Sequence, residues 1–230
     1  RMDPMNESQS VHNKNFYAVA LWAAVTMLVI IPAQIIVFVL SPHPETVQGW
    51  LDLFGRNWFL GVIHFDGLYV VNNILLAILY VALLLMLVAE HPTSMTLATL
   101  FGLLGIASYF ASNKAVEMVT LSKQYWSGVS GLSDEVFFAS VQNMILAWKG
   151  TAFDIYYVLN GIALFLISAA MLKSRFFTRN AAIIGFISAF LMLIPSNFGT
   201  VGLVFSLLSL IPWYVFTIMM ARVFWRQAKH

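Results

Sequence analysis

The feature that most constrains this chain is a series of six apolar stretches, at about Phe16–Leu40, Gly67–Ala89, Met95–Ser112, Phe153–Leu172, Ala181–Ile194 and Val201–Val223. A bilayer crossing takes about 20 apolar residues. A backbone in hydrocarbon must satisfy its own hydrogen bonds, so each stretch is expected as a helix. The fifth is short, and Pro195 is expected to end it. Pro32 and Pro212 fall inside the first and sixth, where kinks are expected and tolerated. Hydrophobic residues make up 60% of the chain and charged residues 10%. Soluble domains carry about a quarter charged residues, so a soluble enzyme is excluded, and disorder with it. The expected fold is all-α: one integral membrane domain over residues 1–230 with six spans.

Twelve Lys plus Arg against ten Asp plus Glu give a net charge of +2, too balanced to suggest a nucleic-acid partner. Cysteine is absent, which removes disulfides, thiolate metal sites and cysteine nucleophiles together. The first apolar run is too long for the core of a signal peptide. Met5 is the expected natural start, with residues 1–4 an addition. Basic residues set the orientation. Arg1, Lys14, Lys173, Arg175, Arg179, Arg222, Arg226 and Lys229 fall on one side of a six-span chain, and Arg56, Lys114, Lys123 and Lys149 on the other. Both termini are therefore expected in the cytoplasm and the chain in an inner (plasma) membrane.

The two long outer connections each hold an amphipathic stretch. Val47, Trp50, Leu51 and Phe54 recur at helical spacing in the first. Phe137, Val141, Met144, Ile145 and Trp148 do so in the second, with Ser133 as the expected N-cap. They read either as interfacial helices resting on the bilayer or as lids over an outer pocket. Phe65-Asp66-Gly67-Leu68-Tyr69-Val70-Val71-Asn72-Asn73-Ile74 aligns without a gap to Phe153-Asp154-Ile155-Tyr156-Tyr157-Val158-Leu159-Asn160-Gly161-Ile162. The match points to a parallel internal repeat of amphipathic helix plus two spans, at about 44–113 and 133–197, with its axis along the membrane normal. Coincidence within similar topology is the alternative.

Polar residues gather toward the outer side. His64, Asp66, Asn72 and Asn73 enter the second span, and Lys149, Asp154, Tyr157 and Asn160 the fourth. The third span carries Tyr109, Asn113, Glu117, Thr120 and Gln124 at i, i+4, i+8, i+11 and i+15, one helical face. Polar groups on a lipid-facing helix must turn inward or meet water. An outward-opening pocket is expected, lined by His64, Asp66, Asn73, Tyr109, Asn113, Glu117, Lys149, Asp154 and Tyr157. Each also has a plainer reading. Asp66 and Asp154 suit N-caps, Asn72 and Asn160 suit interhelical hydrogen bonds, and Lys114 with Glu117 suits an i, i+3 ion pair. Gly185 and Ala189 suit a packing face of small residues.

No histidine pair has metal-binding spacing, and no G-x-S-x-G, P-loop or dinucleotide fingerprint occurs. A mixed site of His64, Asp66, Asp154 and Glu117 is the one metal arrangement that could converge, and no cofactor follows from the residues. Phe153-Asp154 through Ser168, Met171-Leu172-Lys173-Ser174-Arg175 running into Ala181–Gly185, and Ser209-Leu210-Ile211-Pro212-Trp213 resemble a family of small polytopic membrane proteins of bacteria and archaea that carries a domain-of-unknown-function label. The resemblance covers residues 110–222, with Thr178-Arg179 standing where members have Pro-Arg. It implies a prokaryotic inner-membrane helical bundle and transfers no catalytic residues. The leading expectation is a non-catalytic protein that binds a small or lipid-like ligand, as a sensor or accessory subunit. A small-molecule transporter and a membrane hydrolase using His64 with the acids are the alternatives.

Overall fold

A computed structural model describes residues 4–128 and 131–229, with side chains from Asn13 onward. Arg1, the first three residues of the expected addition ahead of Met5, and His230 lie outside the described residues. Ten helices and no strand occur among the described residues. They are α1 (Pro4–Leu40), α2 (Val47–Arg56), α3 (Trp58–His64), α4 (Gly67–Leu87), α5 (Pro92–Ser112), α6 (Ala115–Ser127), α7 (Asp134–Trp148), α8 (Thr151–Met171), α9 (Arg179–Met192) and α10 (Gly199–Lys229). Five helical runs are long and apolar enough to cross a membrane: Asn13–Leu40, Gly67–Leu87, Pro92–Ser127, Asp134–Met171 and Gly199–Lys229. The stretch expected as a fifth span is α9, a shorter apolar helix of 14 residues, which rises only about 21 Å.

The chain forms two compact units. One holds residues up to Val29, Asn73–Ile106 and the chain from Tyr156 on. The other holds Ile30–Asn72 and Ala107–Ile155.

In the first unit, α1 buries Ala20, Ala23, Ala24 and Met27 on one face and exposes Trp22, Val25 and Val29 on the other. Small residues on the packed face let backbones approach, and large apolar residues on the open face suit lipid. Pro32 has no N–H to give to the carbonyl four residues back, which is Leu28. The Tyr214 hydroxyl of α10 donates to that oxygen at 2.6 Å. On α4 the Tyr80 hydroxyl donates to Asn160 Oδ1 of α8 at 2.6 Å, and the Asn160 amide donates to the Tyr156 carbonyl. Gly105 leaves the space that amide occupies, so Asn160 is the interhelical bond its sequence position suggested. Thr178 caps α9 by accepting from Ala181 N. Gly185 and Ala189 are both buried, and Gly185 lies against Ser168 and Phe216, as a small-residue packing face requires.

The second unit gathers the short helices. Thr46 caps α2 through Gly49 N at 3.0 Å. Asn57 then ends α2 and caps α3, its Oδ1 accepting from Leu60 N at 3.0 Å. The first connection therefore carries two helices where one amphipathic stretch was expected. Trp50, Leu51, Phe54, Phe65, Ala115, Met118, Val141 and Trp148 form one buried cluster. Ser122 Oγ and the Trp126 indole N–H both donate to the Leu51 carbonyl, at 2.9 and 3.2 Å. The apolar stripes of α2 and α7 thus meet each other and α6, while Val136 and Leu146 on another part of α7 stay exposed. Ser133 occupies the N-cap position of α7 in extended backbone but makes no side-chain cap bond.

Candidate functional site

Asp66 joins α3 to α4 with φ +63°, a left-handed conformation that Asp tolerates better than most residues but that still costs free energy. Its carboxylate does not cap α4, contrary to the N-cap reading. Instead Gln34 Nε2 of α1 donates to Oδ1 at 3.0 Å, and the Trp148 indole N–H of α7 donates to Oδ2 at 2.8 Å. The left-handed turn is what points the side chain at these two neutral donors rather than along the α4 axis. Asp154 does not cap α8 either, because it lies inside that helix, in its first turn.

Two histidines adjoin Asp66. His64, fully buried, ends α3, and its Nε2 lies 3.1 Å from Ser41 Oγ. His43, between Pro42 and Pro44, places Nε2 3.2 Å from the His64 carbonyl oxygen. The two imidazoles stand edge to face with centroids 5.0 Å apart. Phe38 lies against both rings, and Trp148 stacks on His43 and on Phe65. Lys149 Nζ sits 4.6 Å over the Trp148 ring. Asn113 fixes the base of the site: its amide donates to the Phe65 carbonyl at 2.6 Å and its Oδ1 accepts from Ala115 N.

Burial pushes the Asp66 carboxyl from the usual 3.8 up to about 6, against the opposing pull of Trp148, Lys149 and Gln34. Burial, with the neighbouring His64 and Lys149, brings His43 from 6.5 down to about 4. Burial lowers His64 as well. Near neutral pH the histidines are therefore uncharged and Asp66 is poised close to its own titration. Gln34 Oε1 and His64 Nδ1 are buried without a hydrogen-bond partner among the described residues. A buried polar atom left unmatched costs about 1–3 kcal/mol, so these two atoms ask for a further partner.

His64, Asp66, Asn113 and Lys149 are thus brought together. Glu117 is not. The helix breaks at Asn113 and Lys114 between α5 and α6, so the expected single face from Tyr109 to Gln124 does not form. Glu117 is instead exposed and paired with Lys114 at 3.6 Å. Tyr109 packs with Tyr69 and Phe153 in the same unit. Asp154 is half-buried there, with Oδ1 shielded and without a partner among the described residues. Asn73 and Tyr157 belong to the other unit, where Tyr157 Oη lies 3.3 Å from Ser206 Oγ. Gln34, His43, Ser41 and Trp148 were not foreseen as site residues. A lone Gln in an otherwise apolar span was a signal. His43 between two prolines and Trp148 on an apolar stripe were weaker ones. Among the described residues no three His, Asp or Glu side chains group closely enough to hold a metal ion, so the mixed site of His64, Asp66, Asp154 and Glu117 does not assemble.

Comparisons with protein-family models, curated proteins and solved structures find no match.

Proposed function

We propose that this chain is an integral membrane protein that binds a small or lipid-like ligand through Asp66, in the unit formed by Ile30–Asn72 and Ala107–Ile155. The observation that carries the reading is a carboxylate held on a strained turn by two neutral donors, beside two buried polar atoms with no partner among the described residues. Non-glycine residues in left-handed backbone concentrate at functional sites. The ligand head donates hydrogen bonds, to match Asp66 and Gln34 Oε1. Lys149, near enough to pull the Asp66 pKa down, opposes a full cation, so a hydroxyl or amide head suits the site better than an ammonium. The rings of Phe38, Trp50 and Trp148 supply apolar surroundings for the body that carries it.

The wider setting belongs to the same proposal. Six crossings, with α9 as a short one, put the basic α8–α9 connection and the basic end of α10 on one side, which is then cytoplasmic together with both termini. Asp66 lies on the outer side. The order amphipathic helix, long helix, next helix is shared by α2, α4, α5 and α7, α8, α9 and favours the repeat, although α3 has no counterpart in the second copy and Asp66 sits on a linker while Asp154 lies inside a helix. The resemblance of residues 110–222 points to a prokaryotic inner membrane.

The test uses purified protein and a short-chain monoacylglycerol, a neutral diol head on an apolar tail, with the matching fatty-acid methyl ester as the donor-free control. The monoacylglycerol is expected to raise the Tm of the wild type but not of Asp66→Asn, and the ester to raise neither. Equal stabilisation of both proteins by the monoacylglycerol would remove Asp66 from ligand binding.

A further inference from the structure

A second feature lies in the other unit and owes nothing to Asp66. Arg222, Trp225, Arg226 and Lys229 are spaced i, i+3, i+4 and i+7, so they share one face of α10. All four are exposed. The opposite face, Thr217, Met220, Ala221 and Phe224, is buried, and Phe224 stacks on Tyr17 of α1. The helix is therefore anchored on one side and presents three cations and an indole on the other. No Asp or Glu occurs anywhere from Gly199 to Lys229, so α10 offers these cations no partner of its own. Lys229 Nζ sits 3.9 Å over the Trp225 ring.

Length places this face. With 31 residues, α10 is about 46 Å long, against a hydrocarbon core of about 30 Å. The apolar part from Val201 to Ala221 fills that core, and the turns after it reach the headgroup layer. Trp favours that layer because its ring is apolar and its N–H polar. Arg presents a planar fork of donors that matches phosphate oxygens.

We propose that the Arg222, Trp225, Arg226 and Lys229 face of α10 is a binding site for anionic phospholipid headgroups. The guanidinium groups of Arg222 and Arg226 take the phosphate oxygens, Lys229 adds charge, and Trp225 seats the glycerol region. Charge complementarity selects anionic over zwitterionic lipid. The anchored opposite face keeps the cations in register, so the lipid meets a preformed surface rather than a mobile tail.

The experiment titrates purified protein in neutral detergent with dihexanoyl phosphatidylglycerol, dihexanoyl phosphatidylcholine or inorganic phosphate and reads thermal stabilisation. Wild type is expected to respond to phosphatidylglycerol alone. Each basic residue at an anionic surface is worth about fivefold in affinity, so R222Q/R226Q/K229Q should raise the phosphatidylglycerol midpoint by about tenfold or more. K173Q/R175Q/R179Q, which removes equal charge elsewhere, should leave it within about twofold. Should the triple variant not fold, the single reversal R226E should still raise the midpoint about fivefold or more. An unchanged midpoint in the α10 variants, an equal rise in the K173Q/R175Q/R179Q protein, or equal stabilisation by phosphatidylcholine or inorganic phosphate would overturn the assignment.

Discussion

At the scale of single residues the protein turns on a few polar groups held by specific hydrogen bonds. Tyr214 answers the carbonyl that Pro32 leaves open at Leu28. Tyr214→Phe should therefore cost about 1 kcal/mol of stability, read as a lowered Tm with helicity unchanged by circular dichroism. Asp66 and His43 titrate in opposite senses. The folded-state pKa of Asp66 is raised from 3.8 to about 6. Its contribution to stability is thus present at low pH and lost as pH rises through that window. The pKa of His43 is lowered from 6.5 to about 4, so its contribution is absent at low pH and regained as pH rises to about 6.5. Tm measured from pH 4 to 7 should show wild type losing ground to Asp66→Asn as pH rises and gaining ground on His43→Asn. The same slope in both comparisons would contradict the burial assigned to one of them. Asp66 was legible because an acid at the mouth of an apolar run is expensive. Its partners were not. Nothing in the local sequence links Gln34 or Trp148 to it across separations of 32 and 82 residues.

At the scale of elements, periodicity and length located the helices that carry the fold, because a 3.6-residue pattern and a run of about 20 apolar residues leave little choice. Breaks between helices were harder to read. Asn57 serves two helices at once, and Asn113 stops α5 by bonding the distant Phe65 carbonyl. Continuing α5 through Asn113 is what produced the false polar face down to Gln124. The apolar stripes of α2 and α7 were visible, but whether they meet lipid or each other depends on tertiary packing that a stripe does not encode. The α8, α9 and α10 contact gives a prediction at this scale. A Cβ on Gly185 would run into Ser168 Oγ and Phe216. Gly185→Val should destabilise by about 1–3 kcal/mol, and adding Ser168→Ala should recover part of the loss in a double-mutant cycle followed by Tm. Full additivity of the two changes would mean that the helices do not touch there.

At the scale of the whole molecule, one unit is a set of long apolar helices, and the other packs two histidines and one carboxylate among aromatic rings. Composition and span length made the scaffold legible from the outset, since no other environment suits so many uncharged turns. The candidate site was legible only as a cluster of costly residues, of which the structure gathers His64, Asp66, Asn113 and Lys149. A ligand that donates hydrogen bonds should prefer the ionised carboxylate, because charged acceptors make the stronger bonds. The measurement that bears most directly on this is the Kd of the short-chain monoacylglycerol for the wild type and Asp66→Asn between pH 5 and 7. The account predicts wild-type binding that tightens as pH rises, with a midpoint near 6, and no such dependence in Asp66→Asn. Wild-type binding that is flat across this range, or a pH dependence that survives in Asp66→Asn, would contradict it.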